Sequence, residues 1–209
     1  MDFFASGPAR SKRTLVLAHG AGAPADAPDL VALAEGIAAA GVRVLRFEFP
    51  YMAARRVDGA RRGPDRQPVL LDTWREAIEA ARPPRSTTRL FIGGRSMGGR
   101  MASMVADEAG VAGLLCYGYP FHPPGQPDRL RTAHLAGLRT PTRIFQGERD
   151  PFGVPAEVEG YTLSDAIEVV WLPDGDHSLR PRKTSGFTAA GHLQTVVEKS
   201  VAFILGPSD

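Results

Sequence analysis

Short apolar runs rich in strand-forming residues alternate along this chain with longer stretches of helical periodicity, and this alternation restricts the fold more than any other feature. Strands are predicted over residues 14–18, 42–47, 89–93, 113–117, 142–146 and 168–172. Helices are predicted over residues 29–40, 68–82 and 97–107, from near Val154, and over residues 188–205. The strands are almost continuously apolar, as in parallel sheets covered on both faces. The pattern predicts a three-layer α/β fold, with helices on both faces of a mostly parallel open sheet of about six to seven strands.

The composition is that of an ordinary globular domain. The chain has 209 residues, of which 43% are hydrophobic, so we expect one domain over residues 1–209. The formal net charge of +2 is too small to indicate a nucleic-acid or membrane-surface binder. Cys116 is the single cysteine, which excludes an intramolecular disulfide and a multi-thiolate metal site. With no apolar run of signal-peptide length and none near the roughly 18 residues of a membrane span, we expect a cytoplasmic protein.

The sharpest local motif is a Gly-x-Ser-x-Gly sequence at residues 94–98, which lies between a predicted strand and a predicted helix. This context is the one that a nucleophile elbow requires. A Cβ at Gly94 or Gly98 would collide with the neighbouring strand and helix in such a turn. The turn would expose the hydroxyl of Ser96 and leave the Met97 N–H available to an oxyanion. The alternative is a serine that only caps the helix.

A serine hydroxyl becomes a useful nucleophile when an imidazole removes its proton and a carboxylate orients that imidazole. The sequence supplies both groups shortly after later predicted strands. Asp150 follows the strand at residues 142–146, and His177 follows the strand at residues 168–172. We therefore predict that Ser96 is the nucleophile, His177 the base and Asp150 the orienting acid, with no metal and no cofactor.

Other acidic residues compete with Asp150 for the third role. Glu148 is the alternative acid, although it lies nearer the end of the strand. Asp174 and Asp176 lie beside His177 in the chain and are interpreted as turn-forming residues.

The remaining histidines receive other interpretations. His192 falls on the last predicted helix and His134 in a polar segment, and both are expected at the surface. His122 lies in residues 118–127, a loop after a strand that lacks clear secondary structure, and it is expected to line the substrate pocket.

The loop after the first predicted strand has the sequence HGAGA at residues 19–23. Gly20 and Gly22 would allow the backbone to approach a ligand, and the Ala21 N–H is expected to be the second oxyanion donor. His19 is expected to hold this loop by hydrogen bonds. A plain strand-to-helix turn is the alternative.

Residues 49–67 also lack a clear secondary-structure pattern and are rich in arginine. This segment follows a strand, so it should lie over the carboxyl edge of the sheet, where open α/β sheets bind ligands. A solvent-exposed loop accounts for the charges. The alternative is that Arg61 or Arg62 binds a carboxylate or phosphate of the substrate.

Residues 12–205 resemble the α/β-hydrolases. The segments at 17–23, 47–52, 61–66 and 93–100 are similar to a narrower subfamily that includes the NSL-complex subunit 3 and a testis-expressed relative. The resemblance implies the three-layer α/β-hydrolase fold. About 24 residues between Tyr117 and Thr142 leave room for a loop and a short helix over residues 129–138, but for no substantial lid. An open, shallow site and an N-terminal antiparallel strand reduced to about residues 3–5 are expected.

These features together predict a lidless, metal-free serine hydrolase acting on an ester, thioester or related acyl bond of a small molecule. The alternative from a different class is a non-enzymatic binding or scaffold protein with the same fold.

Overall fold

The computed structural model describes residues 1–82 and 88–206. Seven strands form its sheet: β1 (Phe4–Ser6), β2 (Arg13–Ala18), β3 (Arg43–Phe47), β4 (Arg89–Arg95), β5 (Gly113–Tyr117), β6 (Thr142–Gly147) and β7 (Ile167–Leu172). Their order is β1-β3-β2-β4-β5-β6-β7. β1 pairs antiparallel with β3, and the other pairs are parallel. The predicted open, mostly parallel sheet is confirmed.

Helices cover both faces of this sheet: α1 (Pro28–Ala38), α2 (Pro50–Asp58), α3 (Gln67–Ala81), α4 (Met97–Ala109), α5 (Pro155–Val158) and α6 (Ala189–Leu205). Side chains of a strand alternate between faces. In β2, Leu15 and Leu17 pack with α1 and α6, whereas Val16 and Ala18 pack with α3 and α4. The core therefore consists of two apolar layers separated by the sheet.

Two segments differ from the prediction. Residues 49–67, expected to lack secondary structure, contain helix α2. This helix is polar and short, but it carries a proline at its first position and ends at Gly59, which adopts the left-handed conformation with φ 70°. The expectation of a short helix over residues 129–138 is also wrong, since this segment has only a 3₁₀ turn at Leu135–Gly137.

The connection between β5 and β6 contains no other helix and forms no lid. In the described part of the chain, no helix is both long and apolar enough to cross a membrane.

Parallel strands place their carboxyl ends at one edge of the sheet. The segments that follow β2, β4, β5, β6 and β7 therefore meet there. These segments carry the HGAGA loop, Ser96, His122, Asp150 and His177.

Candidate active site

Ser96 occupies a strained turn between β4 and α4. Its φ of 47° and ψ of −114° lie outside the regions that a residue with a side chain normally adopts. A Cβ at Gly94 would stand 2.9 Å from Ala18 O and 2.7 Å from the backbone carbon of Gly98. A Cβ at Gly98 would stand 2.5 Å from His19 O. The two glycines let strand, helix and HGAGA loop approach closely enough for this turn to form.

A continuous hydrogen-bond chain connects Ser96 to the loops after β6 and β7. The hydroxyl of Ser96 lies 2.9 Å from His177 Nε2, and His177 Nδ1 lies 2.8 Å from Asp150 Oδ2. With Asp150 ionised, Nδ1 carries the proton and Nε2 is free to accept the serine proton. The structure thus brings together the three side chains expected to act as nucleophile, base and acid.

Asp150 is fully buried, and its two oxygens are occupied by specific donors. Oδ2 also accepts a hydrogen bond from Gln146 Nε2 at 2.8 Å, and Oδ1 accepts the Phe152 N–H at 2.9 Å. The Phe152 ring lies against the His177 imidazole, with a centroid distance of 4.2 Å. These contacts fix the carboxylate and leave the imidazole little freedom to rotate.

The alternative acid, Glu148, points elsewhere. Its carboxylate is on the exposed side of the loop and accepts the Asp174 N–H at 3.0 Å. Asp174 binds Arg149 and Arg182, and Asp176 accepts the N–H groups of two following residues in a turn.

The HGAGA loop lies beside Ser96, since a Cβ at Gly20 would stand 3.7 Å from Ser96 Cβ. His19 donates from Nδ1 to Gly20 O at 2.7 Å and accepts the Phe49 N–H at Nε2, at 3.1 Å. Burial lowers the pKa of His19, which favours the neutral ring that this bonding pattern requires. His19 therefore holds the loop, as its position in the sequence suggested.

Tyr51, from the first turn of α2, holds the same loop from the other side. Its hydroxyl donates to Ala21 O at 3.0 Å, with a second acceptor, Gly20 O, at 3.3 Å. Its N–H donates to Asp65 at 2.9 Å. The sequence alone predicts no role for Tyr51 or Gln146. The available signals were the position of Tyr51 in the motif at residues 47–52 and an amide side chain near the end of an otherwise apolar strand.

In the described part of the chain, none of the three expected substrate-binding side chains hydrogen-bonds to Ser96, Asp150 or His177. His122 is buried, and its ring nitrogens lie 2.8 Å from Pro123 O and 3.2 Å from Glu157 Oε2. Arg62 is exposed, and its guanidinium binds the Asp58 carboxylate with two hydrogen bonds. Arg61 is exposed and makes no hydrogen bond or ion pair to another described residue.

Two histidines expected at the surface are buried or half-buried. His192 is buried on α6, with Nδ1 2.8 Å from Leu179 O. His134 is half-buried, with Nε2 2.8 Å from Ser103 Oγ. Ser103 is itself buried and its hydroxyl donates to Arg100 O, so this second serine–histidine pair offers no accessible nucleophile.

A cavity of about 430 Å³ lies between the first turns of α1 and α6. We call it the α1–α6 cavity. Its wall includes apolar residues of both helices, among them Leu30, Leu33, Leu193 and Val196. It does not include Ser96, Asp150 or His177, but it does include chain neighbours of the site: Gly20, Arg95 and Ser178. Across the described ranges, no group of three His, Cys, Asp or Glu side chains is arranged to hold a metal ion.

A family model described as an alpha/beta hydrolase domain matches residues 11–205 of the chain. The chain belongs to the α/β-hydrolase domain family. Solved structures agree with this fold at low sequence identity. A lidless α/β serine hydrolase from Xanthomonas campestris is 20% identical with a TM-score of 0.69, and the match covers 94% of this chain and 87% of that chain.

Two further solved structures are similar. For dienelactone hydrolase from Anabaena variabilis the identity is 20%, the TM-score 0.74 and the coverage 96% of this chain and 89% of that chain. For Est1E from Butyrivibrio proteoclasticus the identity is 16%, the TM-score 0.71 and the coverage 97% and 92%. At these identities the likeness establishes the fold alone.

Proposed function

We propose that this α/β-hydrolase is a serine hydrolase that cleaves a carboxylic ester, thioester or related acyl bond. The observation that carries the proposal is the unbroken chain from Ser96 Oγ through His177 to the buried carboxylate of Asp150, with distances of 2.9 and 2.8 Å. Structural relatives include a serine hydrolase and a dienelactone hydrolase. A binding or scaffold protein has no use for a strained serine aligned with a buried histidine–aspartate pair.

In the proposed reaction, Ser96 attacks the acyl carbon while His177 Nε2 takes the serine proton. The negative charge on the former carbonyl oxygen is stabilised by the N–H groups of Met97 and Ala21. His177 then donates its proton to the leaving group, which departs and leaves an acyl group on Ser96. A water molecule, deprotonated by His177, releases the acid and restores the serine. Asp150 stabilises the imidazolium at each stage.

The substrate class is a small acyl compound. Est1E, one of the structural relatives, has been solved with ferulic acid bound. The open site without a lid supports substrates that do not need to be enclosed. An anionic substrate group, where there is one, is assigned to Arg61, because Arg62 binds Asp58 and His122 binds Glu157.

We also propose membership of the narrower subfamily that includes the NSL-complex subunit 3. Hydrogen bonds connect three of its four sequence segments. His19 of the first accepts the Phe49 N–H of the second, and Tyr51 of the second donates to Asp65 of the third. This interdependence supports treating the segments as one unit.

Turnover of p-nitrophenyl esters of increasing acyl length tests the proposed activity. Hydrolysis by the wild-type protein that is abolished in Ser96→Ala supports it. If the folded wild-type protein hydrolyses no ester or thioester in such a series, the non-enzymatic alternative is favoured.

A further inference from the structure

The guanidinium of Arg95 connects three segments of the active site. Arg95 is the last residue of β4 and directly precedes Ser96. Its Nη2 donates to His177 O at 2.6 Å, and its Nη1 donates to Tyr117 O at 3.1 Å. Tyr117 O also accepts the Ser96 N–H at 3.0 Å. One side chain thus links the residue before the nucleophile, the end of β5 and the loop that carries the histidine.

The main chain of His177 has few other attachments. Within residues 1–82 and 88–206, the Arg95 bond is the one hydrogen bond made by its backbone groups. Gly118, with φ 69°, packs directly against this point, and a Cβ there would lie 2.7 Å from His177 O and 3.0 Å from Arg95 Nη1. The carbonyl of His177 is therefore fixed between Arg95 and the turn after β5.

An arginine is a costly residue for this position. Burial lowers the pKa of Arg95, and the nearby carboxylates of Asp150, Asp29 and Asp176 oppose that shift. None of these carboxylates forms an ion pair with Arg95 in the described structure, since Asp150 binds His177 and Asp29 binds Arg180. Desolvating a charge costs several kcal/mol, and neutral carbonyls offset this less than a carboxylate would. The guanidinium is thus held by two carbonyl oxygens rather than by a carboxylate.

We propose that Arg95 is a positioning residue for the reaction at Ser96. Its guanidinium holds the main chain of His177, so that the imidazole keeps its distances to Ser96 and Asp150 as it gains and loses the proton. The planar fork suits this task because two N–H groups can reach two carbonyl oxygens at once. This inference rests on the proposed hydrolase function, and Arg95 itself makes no contact with the reacting atoms.

The first test compares Arg95→Met with Arg180→Ala in steady-state ester hydrolysis. A misplacement of about 1 Å costs on the order of 100-fold in rate, so kcat of Arg95→Met should fall by about 10- to 100-fold with KM within about twofold. Arg180 follows the same loop and lines the same cavity, but it is exposed and paired with Asp29, so its variant should retain wild-type kcat. Arg95→Lys keeps the positive charge but lacks the planar guanidinium. It replaces Arg95→Met in this test if the methionine variant does not fold. Wild-type kcat in either folded Arg95 variant would overturn the inference.

Chemical rescue separates positioning from a general loss of structure. Arg95→Ala would leave a space that is continuous with the α1–α6 cavity, through which methylguanidinium can enter. Added methylguanidinium should restore at least part of the lost kcat in Arg95→Ala and none in Ser96→Ala. If kcat and KM of Arg95→Ala change together and added methylguanidinium restores no activity, Arg95 has a structural role only.

A spectroscopic measurement distinguishes failure of this inference from failure of the hydrolase proposal. The proton shared between His177 Nδ1 and Asp150 should give a downfield proton NMR resonance in the wild-type protein. If the wild-type protein hydrolyses no ester, the hydrolase proposal fails, and this resonance still tests whether Arg95 positions His177. Broadening or loss of the signal in Arg95→Met then supports positioning by Arg95, and an unchanged signal refutes it.

Discussion

Replacing Asp150 by asparagine removes the negative charge while keeping the shape of the side chain. The structure predicts which way the new amide turns. At the Oδ1 position its nitrogen would face the Phe152 N–H, which belongs to the backbone and cannot turn away. At the Oδ2 position it would face Gln146 Nε2, which has other acceptors in Tyr119 O at 3.1 Å and Gly153 O at 3.3 Å. The amide nitrogen should therefore point towards His177.

That orientation inverts the proton arrangement of the site. The asparagine donates to His177 Nδ1, so the ring proton moves to Nε2 and points at the Ser96 hydroxyl. His177 can then no longer accept the serine proton. By analogy with serine proteases the loss is of order 10⁴-fold, which corresponds to about 5.5 kcal/mol of transition-state stabilisation.

The assay is steady-state hydrolysis of a p-nitrophenyl ester, with folding checked by circular dichroism. Glu148→Gln is the matched control, because Glu148 lies in the same loop but its carboxylate faces the Asp174 N–H. The control should retain activity within about twofold, and KM should change little in Asp150→Asn because Asp150 does not touch substrate. The reasoning is refuted if Asp150→Asn keeps activity within about tenfold of wild type, or if Glu148→Gln is the more damaging change.

Three further predictions follow from the surroundings of the site. Tyr51→Phe removes the hydroxyl that binds the HGAGA loop and should lower kcat by about 5- to 10-fold, the effect of one lost hydrogen bond, while thermal unfolding shows the fold intact. Burial lowers the pKa of His19 below the unfolded value of 6.5, so the unfolded chain binds more protons and stability falls as the pH drops below about 6.5. Between pH 7 and pH 5, denaturant titrations should show a smaller fall in the free energy of unfolding for His19→Gln than for wild type. Equal falls in the two proteins would contradict this. Arg61→Ala should reduce turnover of a carboxylate-bearing ester relative to a neutral one by up to about fivefold, as expected for an exposed pair, whereas Arg62→Ala should not discriminate between them.

The positions of the reacting groups could be predicted because they depend on the order of strands along the chain. Once β4, β6 and β7 are recognised as parallel, the residues that follow them must meet at one edge of the sheet. Ser96, Asp150 and His177 each lie shortly after such a strand, and this made their meeting predictable from strand ends alone. The elbow glycines added a steric reason for the strained turn.

The supporting side chains could not be predicted because their roles depend on directions that the sequence does not encode. In the sequence, Gln146 resembles any polar residue near a strand end, and its bond to Asp150 is visible only in the structure. Arg95 likewise resembles an exposed arginine, and only the structure shows that it binds the loop that carries His177. His134 and His192 were misassigned for the same reason, since a helix or loop position alone does not reveal what packs over it. Helix α2 was missed because its apolar contacts are few, although Pro50 and Gly59 marked both of its ends.

The central claim is that Ser96 is a nucleophile activated by His177, and covalent labelling tests it most directly. The folded protein is treated with a fluorophosphonate probe, and the modified peptide is located by mass spectrometry. Wild type and the Ser103→Ala control should carry one adduct on Ser96, whereas Ser96→Ala and heat-denatured wild type should carry none. An adduct on another residue, equal labelling of Ser96→Ala, or no labelling of the folded wild-type protein would contradict the account.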